Sequence, residues 1–271
     1  MRRYRLTALA AVLFCTLATT MQPAAAITFG QPDGTRHPNV GALLADVSSG
    51  NPGPDIICSG TLIDERVFLT AAHCTASLAS QGIDTVWVTF DPTYDEDSTS
   101  TAGLLRGTYV NHPDFGSGGQ SDTHDIAVVL LKKNAGVQPA DLPTAGLLSR
   151  LKAKHELRDR RFTAVGYGLV RDDKTGGPHG FSDGDGIRRF ALQSALSLQK
   201  SWLSLSMQPS TGDGGTCYGD SGGPHFLGGA RSNLIVSITV SGDAMCRALD
   251  TTYRLDTPAV RDFLDEFVAL P

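Results

Sequence analysis

No Cys-x-x-Cys pair occurs in the 271 residues, so the paired thiols that hold a structural zinc ion are missing. Beyond residue 26 there is no apolar run of the about 20 residues that a membrane-spanning helix needs. Positive charge is in short supply, with 23 Lys and Arg against 28 Asp and Glu and no basic run, which argues against a nucleic-acid partner. Residues 27–140 have no long helical period and the chain has no internal repeat, which excludes helical bundles and solenoids.

What is present begins with a leader. Arg2, Arg3 and Arg5 precede a short apolar run, Leu6 to Leu17, and Ala24-Ala25-Ala26 supplies small residues at a cleavage site. Residues 1–26 are therefore expected to be a secretory signal peptide, too short to span a bilayer. The expected mature protein is extracellular and has no membrane segment. It begins at Ile27 and has 245 residues, 20 basic and 28 acidic, a balance of −8. Loss of the leader removes Cys15 and leaves Cys58, Cys74, Cys217 and Cys246. Four cysteines allow three pairings, and secretion favours disulfides over free thiols or a metal site.

Short apolar runs of β type follow, broken by Gly and Pro: Val40 to Val47, Ile56 to Ile63, Val67 to Ala71 and Thr85 to Phe90. A second set covers Phe162 to Tyr167, Arg189 to Ser197, Trp202 to Met207 and Leu234 to Val240. Strands at this spacing predict a sandwich or barrels. Asn134 to Leu142 reads as a connection between two halves. Arg171 to Gly186, rich in Gly and Asp, reads as an exposed loop. Asp91, Asp95, Glu96 and Asp97, and the stretch Asp183 to Gly186, read as solvated turns. Thr257-Pro258 predicts a helix start. Val260, Phe263, Leu264, Phe267 and Val268 continue it as a one-sided apolar stripe.

Three stretches carry chemistry. The first is Thr216-Cys217-Tyr218-Gly219-Asp220-Ser221-Gly222-Gly223-Pro224, a serine among small residues with an acid before it. Gly219 to Gly223 also fits the Gly-x-Ser-x-Gly elbow of α/β-hydrolases, which needs an acid and then a His further on. Only His225 follows Ser221, with no acid between. The second is Cys58-Ser59-Gly60-Thr61-Leu62-Ile63 with Leu69-Thr70-Ala71-Ala72-His73-Cys74, and the third is His124-Asp125-Ile126-Ala127-Val128-Val129-Leu130. Together, in the order His, Asp, Ser, these blocks resemble the chymotrypsin/trypsin-like family of secreted serine proteases across nearly all of 27–271. His112 and His124 are read as structural.

The resemblance implies an all-β fold of two antiparallel six-stranded barrels with a C-terminal helix. Residues 27–137 would form a barrel carrying His73 and Asp125, and 138–271 a second carrying Ser221. A serine hydroxyl is a weak nucleophile, so His73 would take its proton and Asp125 would hold His73 in one tautomer. The backbone N–H groups of Gly219 and Ser221 would form an oxyanion hole. The implied disulfides are Cys58–Cys74 and Cys217–Cys246. Gly215, Thr216 and Gly242 would line the pocket for the side chain before the scissile bond. Gly215 stands where trypsin-type members have Asp, which points away from basic specificity. The family's Ser-Trp-Gly segment is replaced by Thr239-Val240-Ser241-Gly242, leaving open whether Thr239 or Ser241 bonds Asp125. Ile27, freed at its amine, would pair with Asp220. The implied partners are polypeptide substrates, with no cofactor and no metal; a protein inhibitor is left open. The alternative reading is a catalytically silent homologue that binds a partner.

Overall fold

The computed structural model describes residues 27–47, 53–170 and 186–271. The predicted leader lies outside the described residues, as does all of the Arg171 to Gly186 loop except Gly186. After a two-residue strand β1 (Gln31–Pro32), six strands form the first barrel: β2 (Val40–Ala45), β3 (Asp55–Asp64), β4 (Val67–Thr70), β5 (Val86–Thr89), β6 (Leu105–Asn111) and β7 (Ala127–Leu131). They close in the order β2-β3-β4-β7-β6-β5, antiparallel throughout. The second barrel uses β8 (Arg161–Gly166), β9 (Arg189–Leu198), β10 (Trp202–Ser206), β11 (Pro224–Leu227), β12 (Ile235–Gly242) and β13 (Leu249–Arg254). The β8–β9 pairing closes it, and β1 adds to the outer side of β9. The expected fold of two antiparallel six-stranded barrels is the one found.

The strands form where apolar and β-branched residues run between turn residues, and their inward side chains fill each barrel. Phe68, Val88, Val128 and Leu62 are wholly buried in the first. Leu203, Leu205, Phe162 and Val236 fill one side of the second, beneath α2 (Leu147–Ala153).

Polar contacts tie the barrels together. Arg188, 1% exposed, pairs with Asp33 at 3.0 Å, and its guanidinium donates to Val40 O and Phe90 O of the first barrel and Gly34 O of the N-terminal arm. Asp122 of the first barrel accepts from Ser201 and Tyr253 of the second. The indole N–H of Trp202 donates to Gln120 O.

The helices depart from expectation. α1 (Ala72–Ser80) and α2 carry too few turns to show a period in the sequence. α3 (Pro258–Leu264) begins as predicted but ends early; Phe267 and Val268 continue as turns onto Leu264 O, with Val268 buried. Thr257 sits at the N-cap, yet its hydroxyl makes no capping bond. Its carbonyl alone enters the helix, accepting from Arg261 N.

Candidate active site

His73 is the second residue of α1, which starts where β4 ends. The first N–H groups of a helix have no partner within it, and that of His73 donates to Asp125 Oδ1 at 2.9 Å. The ring Nδ1 lies 2.8 Å from Asp125 Oδ2. One carboxylate thus holds both backbone and ring. An ionised carboxylate only accepts, so Nδ1 carries the proton and Nε2 is left as the acceptor. Asp125 enters from the start of β7 and is 5% exposed. Cys74, next to His73, is bonded to Cys58 on β3. Behind Asp125 the rings of His112 and His124 stack at 4.7 Å, and Phe263 packs on His112; the histidines read as structural are packed as such. Burial, and the neighbouring His124, push the His112 pKa down.

The serine loop belongs to the second barrel and is held from both sides. Gly219 and Gly222 have φ of +93° and +77°, a region unfavourable for other residues. At Gly222 a side chain would also strike Thr70 Oγ1 and Ser59 O of the first barrel. Ser59 N donates to Ser221 O at 2.9 Å. The Ser59 hydroxyl donates to Gly219 O and accepts from Tyr167 N, both at 3.0 Å. Leu169 N donates to Tyr218 O at 2.7 Å. Because the C=O and N–H of a planar trans peptide point opposite ways, this bond turns the Gly219 N–H away from Leu169. Among the described residues, the N–H groups of Gly219 and Ser221 have no acceptor.

Asp220 is wholly buried and accepts from Gly168 N and Cys217 N, both at 2.8 Å. Burial pushes its pKa up to about 7; the two N–H groups oppose the shift, and the Asp250 charge adds to it. Ile27 is also wholly buried, with φ of +55°. Its neighbour Thr28 accepts from Gly215 N at 3.0 Å. Residues 27–28 therefore run beside the segment that leads into Cys217 and Asp220.

His73 and Ser221 share a cavity of about 300 Å³ whose walls include Thr216, Ser241 and Gly242. The Ser221 hydroxyl is not bonded to His73 here; such bonds commonly tighten only with substrate in place. Gly215 lies below the lining. The position a side chain would take there is filled by Met207 and Gln193. Asp243, at the rim, is turned inward on its own loop. Burial opposes its ionisation, but backbone N–H groups of Leu249, Ala248 and Arg247 outweigh it and hold its carboxyl below the usual range. Asp213 pairs with Arg161 at 2.8 Å. Cys217 and Cys246 are bonded, joining the serine loop to the pocket wall. Among the described residues the only close group of His, Cys and acidic side chains is Cys58, His73 and Cys74, and its two sulfurs are bonded to each other.

Neither Thr239 nor Ser241 bonds Asp125. The Thr239 hydroxyl lies 2.9 Å from Nε2 of His225, whose Nδ1 meets Gln193 Oε1 at 2.8 Å. Gln193 Nε2 donates to Asp250 Oδ2 at 2.9 Å. His225 and Asp250 are wholly buried. Burial lowers the His225 pKa and the Asp250 charge opposes it. This network beneath the pocket was not read from the sequence. Its only local signal is a His inside an otherwise apolar strand.

A two-barrel β fold with a His–Asp pair facing a serine loop across the seam has the architecture of a chymotrypsin-like protease. The trypsin family model matches residues 34–257, and the chain belongs to the trypsin family. It is 27% identical over 230 residues to a CLIP domain-containing serine protease, B15, of Anopheles gambiae, a match covering 78% of this chain and 60% of that protein. The chain thus spans about three fifths of that relative's length. The solved structure of HL collagenase superposes with a TM-score of 0.60 at 18% identity, covering 88% of this chain and 95% of that one. That likeness is one of fold.

Proposed function

We propose that the protein is a secreted serine endopeptidase. Its half-chains 27–137 and 138–271 would supply the base and the nucleophile respectively. The observation that carries this is the grip of Asp125 on both N–H and Nδ1 of His73. It holds the ring with Nδ1 toward Asp125, and His73 lines the cavity that holds Ser221. Nε2 takes the Ser221 proton as the hydroxyl attacks the peptide carbonyl. The oxyanion is received by the Gly219 and Ser221 N–H groups, and Nε2 then protonates the leaving amine. Water repeats the cycle on the acyl-enzyme. Two disulfides fit an oxidising compartment. A fluorophosphonate probe tests the reading: it should label Ser221, whereas folded protein left unlabelled would favour the silent homologue.

The side chain before the scissile bond is expected to be uncharged. Met207 and Gln193 close the space at Gly215, and Asp243 and Asp213 are spent on other partners. A buried substrate cation would lack a partner, which is costly. Cleavage-site profiling on a peptide library checks this. Preference for Arg or Lys would overturn it and direct attention to Asp250, whose Oδ1 has no partner among the described residues.

The Ile27 amine, once residues 1–26 are removed, pairs with Asp220 in this reading. In the unprocessed chain Asp220 is a buried acid with its pKa raised. Such a group contributes stability that is full below its ordinary value and lost as pH rises through about 7. A paired amine reverses the balance. Its own pKa rises above the free value of about 7.7–8.0, so activity should persist below that and fall reversibly at alkaline pH. Protein made with one extra residue before Ile27 should have much reduced activity. Full activity, with the extra residue shown to be intact, would sink the pairing.

A further inference from the structure

Although the chain carries a net charge of −5, residues 150–161 hold six of its Lys and Arg: Arg150, Lys152, Lys154, Arg158, Arg160 and Arg161, against Glu156 and Asp159. Single residues separate most of them, so they do not read as a run. The fold gathers them where α2 and the turn Leu157–Asp159 meet the end of β9. Some are used internally. Lys152 donates to Leu198 O, Arg160 pairs with Glu156, Arg161 pairs with Asp213, and Arg150 donates to Thr144. Lys154 and Arg158 are exposed and have no partner among the described residues. Between Arg158 and β9 lies a groove of about 430 Å³, with Lys154 beside it, next to its lining residue His155. Arg158, His155 and Lys152 form its polar side, and Leu157, Leu196 and Leu198 its apolar side. Leu196 is 47% exposed, unusual for a large aliphatic side chain. No residue of this groove lines the His73–Ser221 cavity.

We propose that this groove docks a polypeptide segment bearing carboxylates beside apolar side chains. The carboxylates meet the Arg158 charge in the groove and the Lys154 charge at its margin, and an apolar side chain covers Leu196. The apolar wall decides the class of partner. A sulfated polysaccharide would satisfy the cations but leave Leu196 facing water, whereas an acidic peptide with a Leu or Phe next to its acid engages both. The site does not depend on hydrolysis, since none of its residues lines the His73–Ser221 cavity.

The test uses the full mature chain with Ser221→Ala, so that probes stay intact, panned against a displayed library of random twelve-residue peptides. Enriched sequences should pair Asp or Glu with Leu, Ile or Phe within three positions. The best of them should bind about tenfold or more weakly to the Lys154→Glu, Arg158→Glu double variant, with slower association and a flatter salt dependence. Leu196→Asp should weaken binding similarly. All three side chains are exposed, so folding should be unaffected. Failure to enrich acidic peptides would overturn the proposal, as would enriched peptides that bind the charge-reversed variant equally well. Retention on heparin that the same variants abolish, with no peptide enriched, would assign the groove to a polysaccharide instead.

Discussion

Ser221→Ala is expected to fold as the parent does and to lose about 10⁶ in kcat, the scale set by loss of the nucleophile in another protease. His73→Ala should lose about as much. In the proposed mechanism Nε2 of His73 carries the proton from Ser221 to the leaving amine, and Asp125 commits both carboxylate oxygens to His73. Removal of either partner therefore removes the whole step, and the double variant should be no worse than either single one. The residual rate over water would come from the Gly219 and Ser221 N–H groups and from binding. Additive losses in the double variant, measured on a short peptide substrate, would reject the assignment of these residues to one unit.

The second large effect is on stability. Arg188→Met should destabilise the fold by about 3–5 kcal/mol, the range for breaking a buried ion pair from one side. The change strands the Asp33 carboxylate and takes a donor from each of Val40 O, Phe90 O and Gly34 O. Arg188→Met combined with Asp33→Asn should recover part of the loss, because the unpaired charge is gone. There is also a pH signature. Burial opposes ionisation of Asp33, but His37 and Arg188 outweigh it and hold its pKa below the usual value. Its contribution is then present above an ordinary Asp pKa, about 3.9, and is lost as pH falls through the lowered one. Urea unfolding at neutral and acid pH measures both. A loss under about 1 kcal/mol in Arg188→Met would show that surrounding groups take over its contacts.

Eight strands were legible because each is an apolar run between Gly, Pro or polar turn residues; Asp55–Asp64 exceeds its expected span by a residue at each end and Arg189–Leu198 by one at its end, whereas Leu105–Asn111, Pro224–Leu227 and Leu249–Arg254, short or rich in polar residues, were not read. The triad candidates were legible because three separate blocks stand in one order. What the sequence hid is held by partners distant along the chain. Arg188 follows a Gly-Asp stretch as an ordinary arginine, and its carboxylate partner lies 155 residues earlier. His225 meets Gln193 and Thr239, 32 and 14 residues away. The orientation of the Gly219 N–H depends on Leu169 reaching Tyr218 O, which no local pattern announces. The groove along α2 was hidden because its charges alternate with other residues and its apolar wall comes from β9.

The seam between the barrels has a consequence for how the molecule comes to work. His73 and Asp125 arrive on one barrel; Ser221 and the N–H groups of Gly219 and Ser221 arrive on the other. Ser59 N–H, Arg188 and the Asp122 carboxylate are the fasteners that set one against the other. A newly made chain whose barrels have each closed but not yet met would hold every chemical group the proposed reaction requires and still be inert. If the proposed activity holds, a chain in that condition is no danger to itself or to its neighbours while it is still folding.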